Sequence, residues 1–490
     1  MPTESIGSDT LGSDERAAST RSRRLLSLDQ LPGPRGLPFL GNALQLKSKQ
    51  LHRVLSRWAE RYGPVYVFRI ANQPDWTIAD ADLIGEMLRD RPEGYRRWRK
   101  MEELGLEIGA NGVFIAEGEN WRRHRKLVMY ALSAAHLKQF LGRLETVTGR
   151  LRRRWERAAL KGEPIDVQHD LTRYTVDVTS SLAFGSDLNT LEEPGDAIQQ
   201  HLEKVFPAIA RRQTALFPYW RYWQLPADRE VEVALAEVRK LVNQLIVKSR
   251  EKLSVDPLLR AKPTNLIEAL IVAQENETGA LRDEEIFGNI LTVLLAGEDT
   301  TANTIAWMIH FMVEHPEIQA PMHEEANQPD GIGEHSQDSA APDRLRYIEA
   351  VAYETLRHKW VAPMLLLEPN ADTQVRDIHV PKGTAVFVLT GHVGMQDSNF
   401  TAASEFRPER WLHPSEADAA SHNTRAFMPF GAGPRYCPGR HLAMLEIRMV
   451  LGMLARNFEV HRAPGTPAPD ELYAFTMMPS DLVVTLRPRG

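Results

Sequence analysis

Cys437 is the one cysteine in 490 residues, and it sits in the run Phe430-Gly-Ala-Gly433-Pro-Arg435-Tyr-Cys437-Pro438-Gly439. A single thiol cannot close an intramolecular disulfide. As a thiolate it is a nucleophile or a metal ligand, the axial ligand of a haem iron included. A lone cysteine can equally be a small buried hydrophobe, so its surroundings decide. Glycines and prolines make this loop tight and irregular, which lets backbone approach a flat ligand closely. From Gly439 the chain reads as a helix apolar on one face, with Pro438 at its first position. Sulfur at a helix N-terminus meets free N–H groups and the positive end of the dipole, both of which favour the thiolate. The same glycines begin a dinucleotide fingerprint, but Tyr436 stands where its third glycine is needed.

Four other stretches carry chemistry-bearing residues. In Asn289-Ile-Leu-Thr292-Val-Leu-Leu-Ala296-Gly297-Glu-Asp299-Thr300-Thr301-Ala-Asn-Thr304 the apolar first half marks a buried helix. Thr292, Ala296, Thr300 and Thr304 fall on one face, leaving room for something flat or bulky; close helix packing favours the same stripe. Gly297 weakens the helix, and the Thr300 hydroxyl is placed to bond the Ala296 carbonyl and open the ladder. Asp299 in such a helix is costly unless paired or functional. Glu354-Thr-Leu-Arg357 is an acid–base pair at i, i+3, a pattern that Glu86…Arg89 and Glu93…Arg96 share. Phe406-Arg-Pro408-Glu409-Arg410-Trp411 lies between it and Cys437. In Trp121-Arg-Arg-His-Arg125-Lys126, an indole N–H and a guanidinium one turn apart could hold an anionic group; a solvated basic face is the plainer reading.

Together the five stretches resemble the cytochrome P450 family of haem-thiolate monooxygenases, over roughly residues 31–490. The resemblance implies a mainly α fold with a small β subdomain, with haem b (iron protoporphyrin IX) between the long central helix and the Cys-loop helix. It implies that Cys437 ligates iron and that Phe430, Gly433, Gly439 and Ala296 lie against the cofactor. Trp121, Arg125 and Arg435 would meet the propionates, Asp299 and Thr300 would relay protons to dioxygen, and Glu354, Arg357 and Arg410 would form a buried ionic network behind the haem. Thr292, Ala296, Val361, Ala362, Pro363, Met364, Leu365, Leu366, Met477 and Met478 occupy positions that line an apolar substrate pocket in relatives. The expected reaction is oxidation of a lipophilic small organic substrate. No flavin or iron–sulfur module is evident, so electrons would come from a separate ferredoxin, flavodoxin or reductase, with Arg122, Arg123, Lys126, Arg440 and Arg448 as a candidate docking face. A peroxide-driven relative would usually lack the acid–alcohol pair. A haem-based sensor should lack it too and carry an output domain. Two departures stand out. Glu368 replaces an arginine that often helps bind a propionate, and Met395-Gln-Asp397-Ser replaces His-Arg-Asp-Pro.

These residues must be positioned by elements the hydrophobic period predicts. They are a helix over Leu51–Tyr62, strands over Val65–Ile70 and Trp76–Ala79, and an almost wholly helical stretch from Ala81 to about Ala320. Helix starts are expected near Asp170, Pro226 and Asp283. Strands are expected over Gln374–His379, Ala385–Thr390, Phe458–Arg462 and Leu482–Leu486. Composition predicts a disordered tail over residues 1–30 and one domain over 31–490, with Gln328 to Pro342 as a surface loop. The Leu31–Gly41 segment resembles the proline-rich hinge that follows the membrane anchor in microsomal relatives, and no anchor precedes it here. Acids in the tail argue against a transit peptide, and no apolar run is long enough to span a bilayer. A cytoplasmic enzyme is expected, and one cysteine fits a reducing compartment. A net charge of −6 gives no reason to expect nucleic acid. Leu216 to Trp223 is an aromatic run where relatives carry the access lid.

Overall fold

The structure, a computed structural model, describes residues 25–71, 73–193, 200–201, 204–215, 217–276, 282–328, 344–412 and 422–489. Among them the helices are α1 (Leu51–Tyr62), α2 (Ala81–Arg89), α3 (Arg99–Glu107), α4 (Gly118–Ala131), α5 (Ala134–Lys161), α6 (Val167–Phe184), α7 (Val205–Thr214), α8 (Pro226–Val255), α9 (Pro257–Ala261), α10 (Leu266–Asn276), α11 (Asp283–Glu314), α12 (Gln319–Ala326), α13 (Arg346–His358), α14 (Thr390–Val393) and α15 (Arg440–Asn457). The strands are β1 (Val65–Ile70), β2 (Gln73–Ile78), β3 (Tyr95–Arg97), β4 (Ile165–Asp166), β5 (Leu365–Pro369), β6 (Thr373–Val375), β7 (Ile378–Val380), β8 (Val386–Val388), β9 (Phe458–Arg462), β10 (Glu471–Ala474), β11 (Thr476–Pro479) and β12 (Val483–Pro488).

The largest sheet runs β1-β2-β8-β5-β3, with β2 and β8 parallel and the other neighbours antiparallel. It stands beside a helical body built around α11. That helix is 32 residues long and starts with Asp283, Glu284 and Glu285 in its first turn, where carboxylates suit the positive dipole end. The backbone stays helical through Gly297, so the expected opening of the ladder does not occur. A Cβ on Gly297 would lie 2.5 Å from Thr179 Cγ2 of α6, and this close approach accounts for the glycine. Packing therefore explains part of the small-residue stripe. Trp307 anchors the far half of α11, fully buried.

Several elements differ from expectation. α6 begins at Val167, because Asp166 caps it by accepting the His169 N–H. The Gln374–His379 run is a hairpin of β6 and β7, turned at Arg376 with φ 53°. β3, β4, β5, β10 and β11 were not expected. Residues 1–24 of the expected tail lie outside the described residues, but its last part is tied down. Leu26 bridges to Ile378, and Leu28 is buried in a 3₁₀ turn. The Gln328–Pro342 loop falls outside the described residues apart from Gln328. Among the described residues no helix is long and apolar enough to cross a membrane.

Candidate active site

The Cys437 loop owes its shape to glycine. Gly433 sits at φ +67°, and a Cβ there would lie 2.1 Å from the Leu88 carbonyl oxygen. The Cys437 N–H donates to the Phe430 carbonyl at 2.8 Å, closing the loop across the 3₁₀ turn Gly433–Arg435. α15 starts at Arg440 with Gly439 at its N-cap, so Pro438 precedes the helix instead of opening it. The N–H groups of Gly439 and Arg440 donate to sulfur. Burial pushes the Cys437 thiol up; those two donors and the charges of Arg125 and Arg440 pull it back without cancelling the rise. The helix terminus favours the thiolate as expected, but burial outweighs it. A metal ion bound to the sulfur would deprotonate it outright.

Beside the loop lies a cluster of guanidinium groups with little negative charge to match. Arg435 donates to the Ala116 carbonyl and to Glu117, both at 2.7 Å, and its guanidinium lies 4.7 Å from the Trp121 ring centroid. Arg125 stacks on Tyr436 at 4.5 Å. Arg91 is buried, its pKa lowered to about 10 by desolvation and then by repulsion from Arg435. The Arg97 guanidinium donates to the Phe114 carbonyl at 2.9 Å and covers the Phe114 ring at 3.7 Å. Burial, then Arg91 and Arg435, hold the Arg97 pKa well below the usual arginine value. Buried nitrogens of Arg91 (Nε, Nη2), Arg125 (Nη2) and Arg435 (Nε) have no hydrogen-bond partner among the described residues. Among the described residues, Arg91, Arg97 and Arg435 share one carboxylate, Glu117, with Arg125 beside Arg435, and these crowded cations with orphaned donors fit a multiply anionic group such as a pair of propionates. Glu368, where an arginine was expected, accepts the Arg99 N–H at 2.9 Å and sits 3.7 Å from the side chains of Arg96 and Arg99. Arg91 and Arg97 were missed in the sequence. Only the pairing of β3 with β5, Arg97 opposite Leu367, brings Arg97 to the site.

Arg97 also lines a cavity that α11 walls with Thr292, Ala296 and Thr300. Ala362, Met364, Leu365 and Leu366 line it as expected, with Met101, Leu104, Phe114 and Ile209. Val361, Pro363, Met477 and Met478 do not. The Met477 N–H donates to the Val361 carbonyl at 2.8 Å, and both side chains turn into the core. The hairpin instead presents Tyr473, Phe475 and Thr476 to the cavity. Thr304 is buried away from it.

Asp299 and Thr300 are neighbours in sequence but have separate partners. The Thr300 hydroxyl donates to the Ala296 carbonyl at 2.7 Å. Asp299 accepts from the Thr476 hydroxyl, and Asn303 also bonds its carboxyl. Burial raises the Asp299 pKa, against the lowering effect of these two bonds.

Behind the Cys loop, Glu354 is wholly buried. It accepts from Arg357 Nε and Nη2 at 3.0 and 2.7 Å, Arg410 Nε at 2.9 Å, Trp411 Nε1 at 2.8 Å and the Arg407 N–H at 2.9 Å. Burial works to raise its pKa, but hydrogen bonds from His358 and Arg357 and the charges of both arginines hold it well below the usual carboxylate range. The expected network thus forms. It extends to the Gly394 and Ala403 carbonyls, which accept from Arg357 at 2.9 and 2.7 Å.

Residues 31–486 match the sequence profile of the cytochrome P450 family. The chain belongs to the cytochrome P450 family. It is similar to cytochrome P450 3A6 of Oryctolagus cuniculus, 27% identical over 90% of this chain and 88% of the relative. Similarity to putative cytochrome P450 CYP13A7 of Caenorhabditis elegans is 26%, over 93% and 94% of the two chains. Cytochrome P450 3A41 of Mus musculus is 25% identical, over 95% and 94%. As a cytochrome P450 the protein is a haem-dependent monooxygenase, an oxidoreductase that works with a substrate and a redox partner. On the face considered for that partner, much of the positive charge is already matched. Arg122 pairs with Glu93 and Glu119, and Arg123 with Glu285. In the aromatic run, Trp220 is buried and donates to Glu107 of α3 at 2.8 Å, while Phe217, Tyr222 and Trp223 are exposed; Leu216 lies outside the described residues.

Proposed function

We propose that this cytochrome P450 uses haem b, ligated by Cys437, to hydroxylate a lipophilic small organic substrate with electrons from a separate ferredoxin, flavodoxin or reductase. The observation that carries the reading is one cavity wall holding both the Thr300 turn of α11 and a mostly apolar lining, beside the unmatched guanidinium cluster. Bound haem supplies the dioxygen-activating redox chemistry.

This chain's residues then have distinct tasks. Cys437 presents sulfur from a loop that Gly433 and the Phe430 carbonyl keep fixed. Trp121, Arg125 and Arg435, with Arg91 and Arg97, would hold the propionates. Phe430, Gly439 and Ala296 would lie against the macrocycle. Glu354, Arg357 and Arg410 lock the segment leading to the ligand loop. Asp299, whose pKa burial raises, is the proton donor, and Thr300 orients the hydrogen bonds through which the proton moves. Met364, Leu365 and their neighbours exclude water and favour an apolar substrate.

The ligand assignment is tested by the reduced carbon-monoxide complex. Wild type should give the red-shifted Soret band of a thiolate ligand, and Cys437→Ser should lose it; a serine variant that keeps the band overturns the reading. Turnover with a surrogate reductase compared with peroxide tests the electron source. Spectral screening of apolar compounds tests the substrate class.

A further inference from the structure

Thr476 is 177 residues from Asp299 in sequence, yet its hydroxyl donates to the Asp299 carboxylate. It is not left to rotate freely. Asn303, one turn beyond Asp299 on α11, donates its Nδ2 to Thr476 Oγ1 at 3.3 Å. Gln168 of α6 donates its Nε2 to Asn303 Oδ1 at 2.6 Å. Asn303 and Thr476 are both buried, so each bond replaces one that water would otherwise supply. The chain Gln168–Asn303–Thr476–Asp299 thus ties α6, α11 and the β10–β11 hairpin together around one acid.

The hairpin tip also faces the cavity. Ala474 pairs with Thr476 across a single turn residue, Phe475, whose φ of 79° is rare for a side-chain-bearing residue. The Phe475 ring packs edge-on against Phe114, centroids 6.1 Å apart, and Phe114, Phe475 and Thr476 all line the cavity.

We propose that Thr476 is a positioning residue for proton delivery, its hydroxyl fixing where the Asp299 carboxyl points and how readily it gives up its proton. When Asp299 releases a proton toward the Thr300 side, the carboxylate left behind is stabilised by the Thr476 O–H and the Asn303 N–H. Solvent then returns a proton to the same carboxylate. No charged side chain among the described residues contributes to the titration of Asp299, so these two neutral donors are its tuning partners. A hydrogen bond to the charged form favours that form, so removing the hydroxyl should make Asp299 hold its proton more tightly. The inference rests on the monooxygenase reading of the site.

The test uses haem-loaded resting protein. The carboxyl stretch of Asp299, assigned by its loss in Asp299→Asn, is followed against pH in the infrared for wild type, Thr476→Val and Thr476→Ser. Thr476→Val should retain the protonated band to higher pH, and Thr476→Ser should titrate as wild type does. In turnover, product formed per reducing equivalent should fall in the valine variant and recover in the serine one. An Asp299 titration unmoved in Thr476→Val overturns the proposal. If the valine protein does not load haem, Thr476→Ala gives the same reading with less bulk. The infrared titration needs no turnover, whereas failure of the haem-thiolate reading shows in the carbon-monoxide spectrum, which these substitutions leave unchanged.

Discussion

Glu354→Gln is the most informative single perturbation of the scaffold. Oε1 of Glu354 accepts from Arg357 Nη2, Arg407 N and Arg410 Nε, and Oε2 accepts from Arg357 Nε and Trp411 Nε1. An amide must put its NH₂ on one side, so at least two donors then face a donor. Hydrogen bonds to charged groups are worth about 1.5–3 kcal/mol each, giving about 3–6 kcal/mol. Breaking a buried ion pair costs a similar ~3–5 kcal/mol, because the remaining charge is left unmatched. Typical domains have only about 5–15 kcal/mol of stability in total. The control is Glu119→Gln, whose partner Arg122 is at the same i, i+3 spacing but whose side chain is 84% exposed; its cost should stay within about 0.5 kcal/mol. Denaturant unfolding at pH 7, followed by tryptophan fluorescence and haem absorbance, compares the two. The sign of the pH dependence follows from the lowered Glu354 pKa. Its contribution is present above the unfolded carboxylate pKa of about 4.3 and is lost as pH falls below it, so wild type and Glu354→Gln should converge in acid. A glutamine variant within about 1 kcal/mol of wild type at pH 7, or one costing no more than Glu119→Gln, would refute the reasoning.

Two further outcomes are expected. Thr300→Ala removes one hydroxyl bonded to the Ala296 carbonyl, so haem and substrate should still bind while product per reducing equivalent falls. Positioned proton transfer is worth about 10²–10⁴ in rate, and an unchanged ratio would remove Thr300 from proton delivery. Arg97→Met should speed haem loss to an excess of apomyoglobin by roughly 10- to 100-fold, the equivalent of one charge-assisted hydrogen bond. An unchanged rate would take Arg97 out of the propionate site.

What the sequence determined by itself is local. The Cys437 loop, the Asp299–Thr300 pair and the Glu354–Arg357 pair are legible because a few residues at fixed spacing carry both the backbone shape and the chemistry. The extents of α1 and β1 and the first residues of α8 and α11 were legible because hydrophobic period and N-terminal residue types set them within one segment. Other features depend on which distant segments meet. Glu354 and Glu119 follow the same local pattern, and only tertiary burial makes one a core ion pair and the other a surface contact. Arg97 reaches the guanidinium cluster through the register of β3 against β5, and Glu368 is drawn to Arg96 and Arg99 by the same pairing. Met477 leaves the cavity because its N–H bonds Val361, while Phe475 and Thr476 enter it at the hairpin tip. The hold of Thr476 on Asp299 joins residues that no local pattern relates. Helix crossing and strand register place them together, because burying apolar faces decides which backbones approach, and the polar side chains then pair with whatever that approach brings within reach.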